Sequence, residues 1–488
     1  MTVEARANDR RVDAAPSLHR ELGLADLVSA QILFIVGLPW VGVAAKQGPA
    51  HIVFWLIAMT LFYLPSAAVV IYLNRLMPLE GGLYQWAKLG FSDLVGFMVA
   101  WNLWLFAILN TSETGIQATQ YFVYILGPTG ERLAASKLFT AFVSAIVFCG
   151  LVLIAIRGLS VGKWLHKSGG ALMVGTFATL ILLPWLNLAT GAIPAFHPLA
   201  TAAPVISVMS LNLLGKMGFG ALGGFEYVAI HAGECRDPVR TIARSVVVAA
   251  PIICIMFILG TSSVLGLIPI DQIDLIAPIP QVLSAGFGPL GSVRWVAPVT
   301  ILVLLTVRIA QASVMFTGIT RLPMVAGWDG LLPRWFTELH AGYRTPVNSI
   351  IFVGVMTFVF SLAGVIGVGQ QEGFQLLWNA SAIFYALTYL VMFALPIAGL
   401  RQSGARAPLW LKLAATSGFG MTLLYVTLSI LPIVNVQSTL AFSLKICGVI
   451  AVTNVIGLVL YRSRSPKGSR STGGRFVRRS SKSEGGRL

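Results

Sequence analysis

Apolar runs of roughly 20 residues alternate with short polar stretches along almost the whole chain. A helix needs about 20 mostly apolar residues to cross the hydrocarbon core of a bilayer. The pattern predicts about twelve spans, near residues 24–45, 51–73, 92–126, 137–157, 165–190, 208–231, 245–268, 296–320, 347–367, 376–400, 409–433 and 439–461. The third run is long enough to predict a steep tilt, and the Pro-rich stretches 190–207 and 269–293 predict outer loops or short interfacial helices.

Two of these spans contain residues that interrupt a helix. The interruptions consist of Gly37, Leu38, Pro39, Trp40, Val41 and Gly42 in the first span, and of Gly220, Ala221, Leu222, Gly223 and Phe225 in the sixth. Glycine costs a helix about 1 kcal/mol relative to alanine, and proline about 3 kcal/mol. Lipid cannot satisfy the backbone groups that a break frees, so a break must face protein or a cavity. The glycines indicate either close helix packing or a matched pair of breaks around a transporter's binding site.

The positions of the two interruptions predict internal symmetry. Five spans separate them, so the second unit is inverted relative to the first, as in a five-plus-five inverted repeat. The predicted organisation is a cytoplasmic N-terminal segment (1–22), a first repeat (23–205), a second repeat (206–402), two further spans (403–461) and a disordered basic tail (462–488). The fold class is therefore all-α and polytopic.

Composition and charge agree with a membrane protein. The chain is 56% apolar and 11% charged, whereas soluble domains carry about 25% charged residues. Most of the 34 lysine and arginine residues fall on the side of the membrane that contains both termini, which predicts that this side is cytoplasmic and that the protein lies in the cell membrane. The net charge of +16 is then a topology signal and needs no nucleic-acid partner. The exceptions lie in outer segments or within spans: Lys46, Arg132, Lys137, Arg294, Lys445, Lys216 and Arg308.

Charged residues within spans are costly and mark functional sites. Arg308 lies near the middle of the eighth span, Glu226 just beyond the second interruption, and Glu113 in the outer part of the third span. We expect Arg308 to pair with Glu226, either permanently or with an exchange of partners during transport. Glu234 is expected in an inner-gate charge network or in a solvated loop.

Several motifs then resemble one family in the same order. Residues 78–84 resemble the Pro-x-x-Gly-Gly-x-Tyr stretch of the amino acid–polyamine–organocation (APC) superfamily, residues 219–226 its broken sixth helix, and residues 234–242 its Glu-x-x-x-Pro-x-x-x-Ile signature. Residues 321–346 resemble the loop after its eighth helix. The resemblance implies a LeuT-type fold and the transport of amino acids or amines by an amino acid permease. The first interruption departs from the family's usual Gly-x-Gly-x-Gly, because it contains Pro39 and the bulky Trp40.

The expected function is secondary active transport by alternating access, as a proton-coupled symporter or as an antiporter. Backbone N–H groups at the first break suit a carboxylate and carbonyl groups at the second suit an ammonium, so the predicted partner is a small amino acid or amine. Trp40 and Phe225 are expected either to contact the cargo or to pack in the core. A polyamine carrier and a transport-dead sensor remain alternatives. No cofactor, metal site or enzymatic activity is expected, because the six histidines show no metal-like spacing.

Overall fold

The protein is all-helical, and its apolar runs form long helices. A computed structural model describes residues 23–77, 82–134, 136–157, 162–226, 238–325, 332–398 and 407–464, and contains no strand within these ranges. Ten continuous helices in this part of the chain are long and apolar enough to span a membrane. They include α3 (Gly48–Leu76), α5 (Asp93–Leu126), α7 (Lys137–Arg157), α8 (Gly162–Ala189), α10 (Pro238–Leu267), α12 (Val296–Val325), α14 (Val347–Val365), α15 (Gln370–Ala398), α16 (Leu409–Leu428) and α17 (Thr439–Arg464).

Two further segments are divided helices. The predicted first span consists of α1 (Leu24–Ile35) and α2 (Trp40–Ala45), and residues 36–39 between them are not helical. In the predicted sixth span, α9 (Val208–Gly215) continues into a π-helical turn (Lys216–Gly220) and the helix ends at Leu222. Each predicted segment therefore contains a break, but Trp40, Val41 and Gly42 belong to α2, and Gly220, Ala221 and Leu222 are still helical. The total of twelve spans stays a prediction, because the ten continuous helices do not by themselves establish it.

Shorter helices complete the described chain: α4 (Gly82–Gly90), α6 (Pro128–Ala134), α11 (Pro278–Phe287) and α13 (Arg334–Thr337). Helix α11 and two 3₁₀ turns (Ile270–Gln272 and Gly288–Val293) form the loop between α10 and α12, which confirms the expectation of short helices there. Residues 190–207 are irregular. Helix α5 has the predicted excess length, and the Ser92 hydroxyl caps its start by accepting a hydrogen bond from the Val95 N–H at 3.3 Å.

Helix α5 lies at the centre of the bundle. It packs against α4, α7, α12, α14, α15 and α17. Helix α15 in turn packs against α16, while α1 and α2 pack against α10. The outer surface is apolar: Leu138, Phe142, Ile146 and Leu153 form an exposed stripe on α7, as expected for a face in contact with lipid. The interrupted helices thus lie within a bundle that can satisfy their freed backbone groups.

Candidate substrate site

The first interruption is a tight turn between α1 and α2. The Gly37 N–H donates to the Ile35 carbonyl at 2.8 Å. This bond joins residues only two apart, whereas an α-helix joins residues four apart. Pro39 has no N–H and supplies the fixed φ that suits the residue before a new helix. Its carbonyl accepts hydrogen bonds from the N–H groups of Gly42 at 3.1 Å and Val43 at 3.2 Å. Gly37 and Pro39 therefore end one helix and begin the next, as their local preferences predict.

The second interruption depends on a glycine in a special backbone conformation. Gly224 has φ +113, a value that residues with a side chain rarely adopt. Its N–H donates to the hydroxyl of Tyr389 at 2.9 Å, so a side chain of α15 satisfies one of the backbone groups that the break frees. One residue earlier, the Gly223 N–H still bonds the Phe219 carbonyl at 2.9 Å.

The Glu226 carboxylate is held by two tyrosines of α15. The hydroxyls of Tyr385 and Tyr389 donate to its two oxygens, one to each. The tyrosines are four residues apart and therefore lie on one face of the helix. Glu226 is buried, and these two hydroxyls supply the hydrogen bonds that a buried carboxylate needs.

The predicted ion pair between Arg308 and Glu226 is wrong. Arg308 on α12 pairs instead with Glu113 on α5, with 3.2 Å between its Nη2 and Glu113 Oε1. Arg308 Nε also donates to Gln117 Oε1 at 2.5 Å, and Asn110 Nδ2 donates to Glu113 Oε1 at 3.1 Å. The cause is helix packing, because α5 and α12 lie side by side and place these residues at the same level.

Some residues of the two predicted interruptions meet one another, and others pack against different elements. Trp40 and Gly220 lie against one another, so the two interruptions are brought together in the interior. Phe225 is fully buried and meets Tyr63 edge-on at 6.1 Å between ring centroids. Leu38, Ala221 and Leu222 are also buried. Val41 and Gly42 lie against other elements, Val41 beside Gly260 on α10 and Gly42 beside Pro278 on α11.

Comparison with known proteins agrees with this geometry. A family profile described as amino acid permease matches residues 22–455. This chain belongs to the amino acid permease family. An uncharacterized transporter of Legionella pneumophila is 24% identical over 79% of the chain and 82% of the relative. The branched-chain amino acid permease BcaP of Bacillus subtilis is 24% identical over 74% of the chain and 80% of the relative. The probable agmatine/putrescine antiporter AguD of Lactococcus lactis is 20% identical over 77% of the chain and 78% of the relative.

The family confirms the APC resemblance and identifies a multi-pass transporter that is not an enzyme. A LeuT-type all-α fold fits the ten long helices and the two divided ones. No cluster of three or more metal-ligating side chains occurs in the ranges that the structure describes. Glu234 lies in the stretch 227–237, which is outside the described residues. Residues 1–22 and 465–488 are also outside them.

A buried lysine in the permease was not given a role by the sequence. Lys216 lies in the π-helical turn and is 2% exposed. Its Nζ donates to Asn379 Oδ1 at 2.7 Å and to Ser429 Oγ at 3.3 Å, and it lies 5.5 Å from the centre of the Tyr425 ring. These partners come from α15 and the end of α16. A lysine inside an apolar run is visible in the sequence. Its partners are not, because Asn379 and Ser429 are neutral and lie 163 and 213 residues away in the chain.

The loop before α12 lies against the end of the first divided span, where Gly42 meets Pro278. We call the face that carries Lys46 and this loop the outer face, because the charge distribution predicts it to be extracellular. Asp274 anchors the loop by accepting from Gln120 at 2.8 Å, Tyr124 at 2.9 Å and Gln371 at 2.5 Å. Lys46 Nζ donates to the Ile270 carbonyl at 2.9 Å. Burial lowers the pKa of Lys46, and the Asp271 carboxylate opposes this shift.

Proposed function

We propose that this permease is a secondary active transporter of an amino acid or related amine. It moves its cargo across the cell membrane by alternating access, as a proton-coupled symporter or as an exchanger. The observation that carries the proposal is the contact between Trp40 and Gly220, which joins the two interrupted spans in the interior of the bundle. Paired breaks of this kind present backbone groups to a small polar cargo at the middle of the membrane.

The charged residues support coupling through a carboxylate. Glu113 Oε1 accepts from both Arg308 and Asn110, whereas its buried Oε2 has no hydrogen-bond partner among the described residues. A buried acceptor without a donor is costly, and either a proton or a cargo ammonium at this oxygen relieves the cost. Glu226 is already bonded to two tyrosines. One such oxygen favours a single amine group over a polyamine, although relatives named as polyamine carriers keep that cargo as the second candidate.

Transport in proteoliposomes tests the proposal. The purified chain is reconstituted, and uptake and counterflow of radiolabelled amino acids, agmatine and putrescine are measured with and without a pH gradient. We expect counterflow of at least one amino acid or monoamine. Binding without counterflow would indicate a sensor, and counterflow of polyamines alone would support the second candidate.

A glycine substitution with a matched control tests the place of the site. A methyl group on Gly223 would lie 2.6 Å from the Phe219 carbonyl oxygen. Gly223→Leu is therefore expected to abolish transport by displacing the second break. Gly150→Leu makes the same change on α7, where a methyl group meets no atom within 4 Å, and should transport normally. Normal transport by Gly223→Leu would contradict a cargo-binding site at this position.

The orientation of the chain is part of the same proposal. The excess of lysine and arginine places both termini in the cytoplasm. In a variant whose four native cysteines are replaced by serine, single cysteines introduced at Lys46 and at Arg462 should react with a membrane-impermeant maleimide in intact cells only at the first position. Labelling of the cysteine at position 462 alone would show the opposite orientation and contradict this part of the proposal.

A further inference from the structure

Trp40 occupies the gap between the two interruptions. A methyl group on Gly37 would lie 2.5 Å from Trp40 Cδ1 and 2.7 Å from Nε1. A methyl group on Gly220 would lie 2.8 Å from Cζ3 and 3.0 Å from Cζ2. The pyrrole edge of the indole thus faces the first break, and its benzene edge faces the second. Glycine is required on both sides because the ring takes the space that a side chain would need.

A second tryptophan holds this ring in place. Trp378 on α15 lies 4.3 Å from Trp40 between ring centroids, with an interplanar angle of 40°. Phe374, one turn earlier on α15, is 5.1 Å from Trp378. Both tryptophans are buried. Aromatic pairs at such distances add about 0.5–1.5 kcal/mol beyond the area that they bury. The indole is therefore packed on three sides, against Gly37, Gly220 and Trp378.

We propose that Trp40 sets the upper size limit of the cargo side chain. The proposal rests on the proposed function, since it assumes that the cargo binds between the two breaks. Because a rigid indole fills that gap, the proposal admits only a compact amino acid or amine with a small aliphatic or polar side chain and excludes aromatic side chains. A packed interior does not yield easily to added volume, because overpacking costs about 1–3 kcal/mol.

Removal of the indole creates the space that a larger cargo needs. Apolar cavities of about 150 Å³ bind benzene in other proteins, so the hole left by Trp40→Ala is able to accept a benzyl group. A change of one methylene alone alters discrimination about 10–200-fold in an apolar pocket. Loss of a whole indole should therefore improve the binding of phenylalanine at least about 10-fold relative to alanine.

Competition for transport measures this change. The best-transported small cargo is offered to wild type, Trp40→Ala, Trp40→Phe and Trp410→Ala with unlabelled alanine, valine, leucine, phenylalanine and tryptophan as competitors. Trp410 is 61% exposed at the start of α16 and serves as the matched control. We expect phenylalanine to compete weakly in wild type and Trp410→Ala, and about 10-fold more strongly in Trp40→Ala. Trp40→Phe should be intermediate. Free indole should refill the hole and return Trp40→Ala toward the wild-type profile.

Two results would overturn the size limit while leaving the transporter assignment intact. One is a wild-type protein that binds phenylalanine as well as alanine. The other is a Trp40→Ala protein that binds all competitors with the wild-type ratios or weakens them all equally, which would assign Trp40 to packing. Binding is also followed as ligand-induced thermal stabilisation, so a folded variant that does not transport still gives a result. Failure of the proposed function has a different outcome, because then no amino acid or amine is bound by the wild type.

A reciprocal substitution tests the geometry if Trp40→Ala does not fold. Gly220→Ala alone places its methyl group against the indole and should destabilise the protein. In the background of Trp40→Phe, whose ring is smaller, the same change should cost less. Equal costs in both backgrounds would show that the indole does not fill the gap at Gly220, and the proposal would fall.

Discussion

The Arg308–Glu113 pair offers a sharp test of how charge is arranged inside this bundle. The Glu113 side chain is 5% exposed, the Arg308 side chain is 14% exposed, and the two charges are 3.2 Å apart. Removal of one partner from a buried pair leaves the other charge uncompensated and costs about 3–5 kcal/mol. We therefore expect Arg308→Met to destabilise the protein by about this amount, with Glu113 keeping only its bond from Asn110.

The double variant distinguishes this pair from the one that the sequence suggested. Arg308→Met with Glu113→Gln removes both charges, so its cost should fall short of the sum of the single costs by about 2 kcal/mol or more. Arg308→Met with Glu226→Gln is the matched control. Its costs should add within about 0.5 kcal/mol, because the Glu226 carboxylate is bonded to Tyr385 and Tyr389.

Denaturation in mixed detergent micelles, followed by tryptophan fluorescence, gives the free energies of unfolding for this cycle. Circular dichroism of each variant at zero denaturant checks that the starting state is folded. Strong coupling between Arg308 and Glu226, together with additive costs for Arg308 and Glu113, would refute the arrangement described above.

Three further predictions follow from buried polar contacts. Tyr389→Phe removes the acceptor of the Gly224 N–H and a donor to Glu226, so it should lower transport and thermal stability more than Tyr385→Phe; the reverse order in a thermal-shift and counterflow assay would contradict this. Asp274→Ala removes the acceptor that ties the outer loop to Gln120, Tyr124 and Gln371 on neighbouring helices, so it should increase protease cleavage of this loop; unchanged cleavage would count against the anchor. Lys216→Met leaves Asn379 Oδ1 without its donor and should lower the free energy of unfolding by about 1–3 kcal/mol. Lys216→Glu should lower it more, and a smaller loss for Lys216→Glu than for Lys216→Met would contradict the neutral surroundings of this lysine.

Local preferences made the spans and their interruptions predictable. Long apolar runs give membrane helices wherever they occur, and Gly37, Pro39 and Gly224 act on the backbone within one or two residues of themselves. The family motifs also follow the order of the chain. These features need no knowledge of which helices become neighbours, and the structure has a break within each of the two indicated segments, although each break is shorter than the segment.

Partners between helices were not predictable in the same way. Four intramembrane charges were visible, but their partners depend on the rotation and neighbours of each helix. Arg308 and Glu113 are separated by 195 residues, and the tyrosines that bind Glu226 lie on α15. An apolar run gives no signal of which face of its helix meets which neighbour, and for this reason the expected pairing of Arg308 with Glu226 was wrong.

The amino-acid sequence by itself thus determined an all-helical membrane carrier with two broken spans, because burial in lipid and backbone strain act residue by residue. Tertiary structure alone decided that Trp40 bridges the two breaks, that Arg308 binds Glu113, and that Lys216 lies among neutral groups. Each of these contacts joins side chains that are distant in the chain, and the packing of whole helices sets their distances.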